Sequence, residues 1–258
     1  RTMFTQRAQF IPAPIAERSQ KGWQPGTAPL EWVMLVAYRF VVYWCLALLH
    51  TLRARCEGRC AVLRKVGSIP AAQTKRVLFI RHGQGAHNAS FKNQGIVDPH
   101  LTEVGEAQVA SLNQQLQPWL GEIELVAVSP LTRALQTASG GLAGTSAEWA
   151  ISPLLREWLV SPCDTGRPRS ELLAAFPALH QWEGAAELPQ IWWSSQTEYG
   201  LFTRICELEA WISSRPERTI ALVGHGGVFG QMLGQHLPNC GYQWVEWTAE
   251  ALSMQEMV

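Results

Sequence analysis

The sequence predicts an α/β protein, a three-layer α/β/α domain on a mainly parallel sheet, preceded by an N-terminal apolar helix. Three observations predict it. From Lys75 onward, short β-branched apolar runs alternate with stretches of helical length, the pattern of a parallel sheet covered on both faces. Three of those runs end directly in clusters of Arg, His, Gly or Ser. Upstream, residues 32–52 form a single apolar block of a different character.

In chain order, residues 1–29 carry Pro12, Pro14, Pro25 and Pro29 without periodicity and read as a flexible leader. Residues 30–55 are an apolar helix, and its 32–52 core (WVMLVAYRFVVYWCLALLHTL) is long enough to span a bilayer. Arg39 sits inside that block at a cost of about 2.5–3.5 kcal/mol on insertion scales, which the surrounding Val, Leu, Phe and Trp offset. Arg39, Tyr43 and His50 share one stripe at helical spacing. Two readings stay open: a membrane anchor, or an apolar helix docked on the domain or on a membrane surface. If the helix spans, Arg53, Arg55, Arg59, Arg64 and Lys65 behind it outnumber Arg18 and Lys21 before it. That bias keeps the C-terminal domain in the cytosol. Residues 56–74 read as a linker and 75–258 as the α/β domain.

Within that domain Val77–Ile80 is a buried strand by its length and branching. Thr102 caps a helix reaching about Trp119, with Glu103 and Glu106 at the positive end of its dipole. Leu125–Val128 is a second strand, after which Ser129 as cap and Pro130 in the first turn open another helix. A helical stretch near Ile191–Ser213 precedes a strand at Thr219–Val223. Gly226–Leu237 is helical again, and the chain from Asn239 adds an edge strand or trails.

Formal net charge is zero, so no general attraction to nucleic acid is implied. Apolar residues make up 47% of the chain and charged ones 16%, which argues against disorder. The six cysteines are scattered and form no disulfide framework, which makes a reducing, cytoplasmic setting the default. Cys56 and Cys60 have no His or second Cys pair beside them, so no metal site is expected there. The twelve tryptophans, Trp158, Trp182, Trp192 and Trp193 among them, are read as packing residues, some of them at a pocket mouth.

The chemistry follows from the strand ends. The first strand ends in Arg81-His82-Gly83. The second ends in Ser129-Pro130, with Arg133 just beyond, and the last in Gly224-His225-Gly226. In a parallel sheet the carboxyl ends share one edge and ligands bind there, so these distant segments converge. Arginines make bidentate contacts to phosphate oxygens, and glycines at a helix start let backbone N–H groups approach an anion. An imidazole among them can attack phosphorus. Each residue alone also has an ordinary explanation as a strand end, a tight turn or a salt-bridge partner; jointly, at one edge, they point to phosphoryl transfer.

The run Arg81-His82-Gly83-Gln84-Gly85-Ala86-His87-Asn88 resembles the signature of the histidine phosphatase superfamily, also called phosphoglycerate mutase-like. So do Asp98-Pro99-His100-Leu101-Thr102 with Gly105 and Gln108, Ser129 through Thr137 around Arg133, Leu155-Arg156-Glu157, and Val223-Gly224-His225-Gly226. With Pro162-Cys163-Asp164-Thr165-Gly166, the pattern looks most like the phosphoglycerate mutase-like phosphatases of plants, fungi and protists. The resemblance implies a phosphohistidine on His82, with Arg81, Arg133 and His225 holding the phosphoryl oxygens and Glu157 as general acid and base. It implies neither metal nor cofactor.

Asn88 is expected to touch phosphate, Gln84 and Gly226 to contact substrate, and Arg167, with Arg169, to meet a second anionic group or simply face solvent. His87 and His100 are expected in loops. The implied activity is hydrolysis of a small phosphorylated substrate or a phosphoprotein. Two alternatives remain. One is a phosphoglycerate mutase-type phosphotransferase, disfavoured because the segment after Glu157 lacks the tyrosine-bearing insert of cofactor-dependent mutases. The other is a catalytically silent module that binds phosphorylated ligands. Oligomeric state is not legible.

Overall fold

The computed structural model describes residues 74–193 and 201–248. Its regular elements are β1 (Thr74–Arg81), α1 (Ala86–Ala89), α2 (Glu103–Leu116), β2 (Leu125–Val128), α3 (Thr132–Gly141), β3 (Glu148–Ile151), α4 (Arg169–Ala175), α5 (Leu201–Ser214), β4 (Thr219–Gly224), α6 (Gly226–Leu233) and β5 (Tyr242–Thr248). The five strands form one sheet in the order β3-β2-β4-β1-β5. Every pairing is parallel except the antiparallel β1–β5 edge.

The continuous apolar runs are explained by two-sided burial. Leu78 and Ile80 of β1, Val126 and Val128 of β2, and Ala221 and Val223 of β4 face one core with Leu112 and Leu116 of α2 and Ala134 and Leu135 of α3. Their sequence neighbours Val77, Phe79, Leu125, Ala127, Ile220 and Leu222 face the other core, against Leu208 and Ile212 of α5 and Val228 and Phe229 of α6. Successive strand residues point to opposite faces, so a strand buried on both sides reads apolar without alternation. Each of the Val, Leu, Ile and Phe side chains contributes about 1.5–3 kcal/mol when fully buried. This is the three-layer arrangement that the alternating pattern predicts, and from Tyr242 the tail does add an edge strand.

The helix boundaries differ from the sequence reading in instructive places. Thr102 caps α2 as expected, its hydroxyl accepting from the Gly105 amide at 3.1 Å. The helix then tightens at Pro118 into a 3-10 turn over Gln117–Trp119. Ser129 and Pro130 do not open α3, which begins at Thr132; the Ser129 hydroxyl is drawn to His225 instead. Ile191–Trp193 is not helical, because the Trp192 indole donates to the Arg167 carbonyl at 2.9 Å and both Trp rings are buried. α5 is helical from Leu201. α6 stops at Leu233, four residues short of Leu237, because Gly234 turns left-handed at φ 68°. β3 and the short α1 and α4 are elements that the sequence reading did not contain.

The leader, the apolar helix at 30–55, its 32–52 core and the linker at 56–74, with Cys56 and Cys60, lie outside the described residues. Among the described residues no helix is long and apolar enough to cross a membrane. Nor does any group of three or more His, Cys, Asp or Glu there have the arrangement to hold a metal ion.

Candidate active site

The carboxyl ends of β1, β4 and β2 lie side by side, Arg81 paired with Gly224 and Val128 with Val223. His82 therefore emerges beside His225, their ring centroids 5.0 Å apart. Both imidazoles are buried. The His82 backbone is held on all sides: its N–H donates to the Gly224 carbonyl, and its carbonyl accepts from the Cys240 amide at 3.2 Å and Asn239 Nδ2 at 3.1 Å.

The His82 ring has one determined tautomer. Nδ1 lies 2.7 Å from the Gly83 carbonyl oxygen, which can only accept, so Nδ1 carries the proton and Nε2 keeps its lone pair. Burial pushes the His82 pKa well below the usual histidine range, and the charges of Arg133 and Arg81 push the same way against the Gly83 bond. The ring is neutral at neutral pH. Burial and Arg133 also hold His225 well below its ordinary value, and His225 Nε2 lies 2.7 Å from the Ser129 hydroxyl.

The two guanidiniums flank these rings. Arg133, the second residue of α3, is fully buried; Nη1 donates to the Cys163 carbonyl at 2.6 Å and Nη2 to Asp164 Oδ1 at 3.1 Å. Asp164 is held in turn by amides of Val160 and Ser161, and burial pushes its pKa up to about 6 despite Arg133. Arg81 Nη1 donates to the Leu237 carbonyl at 2.7 Å. Gly226 lies directly against that guanidinium: a Cβ there would meet Arg81 Nε at 3.0 Å. Glu157 closes the site from the loop after β3, its Oε2 accepting from the Gly227 amide at 2.9 Å at the start of α6. Arg81 Nε, Arg133 Nε, His87 Nδ1 and His225 Nδ1 are buried without a hydrogen-bond partner. A ligand with several acceptor oxygens satisfies such a set, and an anion is favoured by two nearby guanidiniums.

The remaining candidates are placed less centrally. Asn88 is exposed at the rim, its Oδ1 accepting from the Gly85 amide and from Asn239 Nδ2. Gln84 Oε1 accepts from the Thr102 hydroxyl at 2.7 Å, which ties the side chain to the α2 cap. Arg167 is spent on Asp98, Nε to Oδ2 at 3.1 Å, and on His100 at 2.7 Å, so its charge is already neutralised. Arg169 donates to the Ala186 carbonyl. His100 lies in a loop as expected. His87 does not: it is buried on α1, 5.6 Å from the His82 ring, because the loop before it is pinned to Leu101 and Thr102 and turns the side chain inward.

Sequence reasoning passed over several residues that build the site. Asp98, left-handed at φ 44°, accepts from the Thr132 amide at 2.8 Å and hydroxyl at 2.6 Å and so caps α3 from outside. Ser129 orients His225, Asp164 orients Arg133, and the Thr137 hydroxyl accepts from the Gly83 amide at 3.0 Å. Each lies in a quoted motif, but motif membership alone does not say which partner it meets.

The chain is 29% identical over 215 residues to a phosphoglycerate mutase-like protein of Arabidopsis thaliana, covering 68% of this chain and 79% of that one. It is 31% identical over 202 residues to phosphoglycerate mutase-like protein 1 of the same plant, covering 63% and 72%. Among solved structures, a mycobacterial glucosyl-3-phosphoglycerate phosphatase complexed with VO3 superposes with a TM-score of 0.44 at 20% identity, covering 67% of this chain and 98% of that chain. The family profile "Histidine phosphatase superfamily (branch 1)" matches residues 77–256, and the chain belongs to that superfamily.

Proposed function

We propose that the protein is a phosphomonoester hydrolase that works through a phosphohistidine on His82. The observation that carries this reading is the tautomer: a buried neutral imidazole, proton held at Nδ1, with Nε2 free among Arg81, Arg133 and His225. Nε2 attacks phosphorus, the P–O bond to the leaving group breaks, and the carboxyl of Glu157 passes its proton to the departing alkoxide. Water then attacks the phosphohistidine, Glu157 takes its proton, the P–N bond breaks and inorganic phosphate leaves. Arg81, Arg133, His225 and the Gly226 end of α6 hold the phosphoryl oxygens and stabilise charge as it develops. Asn88 contributes at the rim. The positive charge comes from the side chains, so the sequence of steps calls on no metal.

The test is hydrolysis of p-nitrophenyl phosphate by the whole chain with EDTA present, for wild type, His82→Ala and Glu157→Gln. Metal-independent turnover that vanishes in His82→Ala and falls about 10²–10⁴-fold in Glu157→Gln supports the reading. Turnover that survives in His82→Ala overturns it. A phosphoenzyme that accumulates and returns its phosphoryl group to phosphoglycerate when bisphosphoglycerate is added replaces hydrolysis with a mutase activity.

A further inference from the structure

Resting on that phosphatase reading, we propose that His87 is a third imidazole of the phosphoryl site and donates a ring N–H to a phosphoryl oxygen. It stands on a four-residue helix whose neighbours Asn88 and Ala89 are exposed, yet its own side chain is only 7% exposed. Its Nδ1 is buried with no hydrogen-bond partner. A polar ring drawn inward without a partner costs free energy unless a ligand supplies one.

The surroundings identify the ligand class. The His82 ring lies 5.6 Å from His87 and 5.0 Å from His225, so the nucleophile has two imidazoles as neighbours. Burial, Arg133 and Arg81 push the His87 pKa down to about 2, so the ring stays neutral and offers an N–H without adding charge. A phosphoryl oxygen that the two arginines attract is an acceptor for it. The sequence makes room for this ring through Gly85. A Cβ at position 85 would lie 2.8 Å from both Cε1 and Nδ1 of His87, so only glycine lets the imidazole lie where it does. The spacing Gly-x-His is then a device for bringing a third imidazole to His82.

The experiment measures p-nitrophenyl phosphate turnover and competitive inhibition by inorganic phosphate in the whole chain. His87→Leu keeps the bulk and removes the donor. His87→Asn and His87→Gln place an amide N–H near Nδ1 and Nε2 respectively. Gly85→Ala displaces the ring without removing it. The inference expects His87→Leu and Gly85→Ala to lose about ten- to a hundredfold in kcat/KM, with phosphate inhibition weakened in parallel, and one amide variant to recover most of the loss. Wild-type kinetics and unchanged phosphate inhibition in His87→Leu overturn it while the phosphatase reading stands. A loss that neither amide repairs also overturns it, since that makes the ring a packing group. If His87→Leu does not fold, Gly85→Ala decides by the same readout. If wild type turns over no phosphomonoester, the phosphatase reading falls and calorimetric phosphate binding judges His87 alone. Binding weakened tenfold or more by His87→Leu upholds the contact; equal binding, or none in wild type, removes it.

Discussion

At the scale of the residue, the site is a collection of histidines kept neutral by their surroundings. His82, His87 and His225 are all buried, and burial is the largest cause of the fall in each pKa, ahead of the arginine charges. This has a consequence for stability. In the unfolded chain each ring takes up a proton near pH 6.5, whereas in the folded protein it does not. Below that pH the unfolded state binds more protons, so the contribution of these residues is present above about pH 6.5 and lost as pH falls. Asp164, pushed up to about 6, and Asp98, also raised by burial, oppose this because the folded state holds their protons longer. Glu209, also raised by burial, acts with them; each proton that the unfolded chain takes up and the folded protein does not is worth about 1.4 kcal/mol per pH unit. The urea midpoint of the whole chain in phosphate-free buffer is expected to drop between pH 7.5 and 5.5, and by less in His87→Asn. A His87→Asn midpoint that falls as steeply as that of wild type would mean that the His87 ring is not held neutral.

At the scale of the element, α3 shows how a local rule is overridden by packing. Ser-Pro after a strand is a sound start signal, and the sequence reading placed the cap at Ser129. In the fold the Ser129 hydroxyl meets His225, 96 positions away in sequence, and the cap comes from Asp98, 34 positions upstream of Thr132. Asp98 also pairs with Arg167, so one carboxylate ties the helix start to the loop before α4. Replacing it by Ala removes the cap and leaves the Thr132 amide and hydroxyl without their acceptor. Asp98→Ala should therefore lower unfolding free energy by at least about 2 kcal/mol, read by urea denaturation. Because Arg133 follows Thr132 directly, kcat/KM should fall with it. A variant within about 0.5 kcal/mol of wild type would show that α3 is capped by other means. β3 was missed for a different reason: at four residues, with only Ala150 and Ile151 buried, it is too short to show a period.

At the scale of the whole molecule, the antiparallel β5 closes the sheet on the β1 side. It pairs with β1 from Thr74 to Ile80 and buries Val245 and Trp247. Truncation after Gly241 keeps the Asn239 and Cys240 contacts to His82 and strips the cover from β1. Exposed strand edges recruit other chains. Sedimentation velocity is expected to show self-association of the truncated chain beyond that of the 258-residue chain. A truncated chain that sediments as the untruncated one does, with its activity intact, would mean that the β1 edge needs no cover.

The layered α/β class and the convergence of Arg81, His82, Arg133 and His225 at one sheet edge were legible in the sequence. These follow from apolar run length and from the rule that parallel strands present their carboxyl ends together, and both are readable without coordinates. The tertiary structure alone decided that His87 turns inward rather than lying in a loop. It also decided that Ser129 serves a histidine instead of a helix, that Arg133 is held by Asp164, and that Arg167 is spent on Asp98. Each of these is a pairing between polar groups far apart in the chain. Such pairings carry no periodicity, because they depend on which side chains the packed cores bring within hydrogen-bond reach.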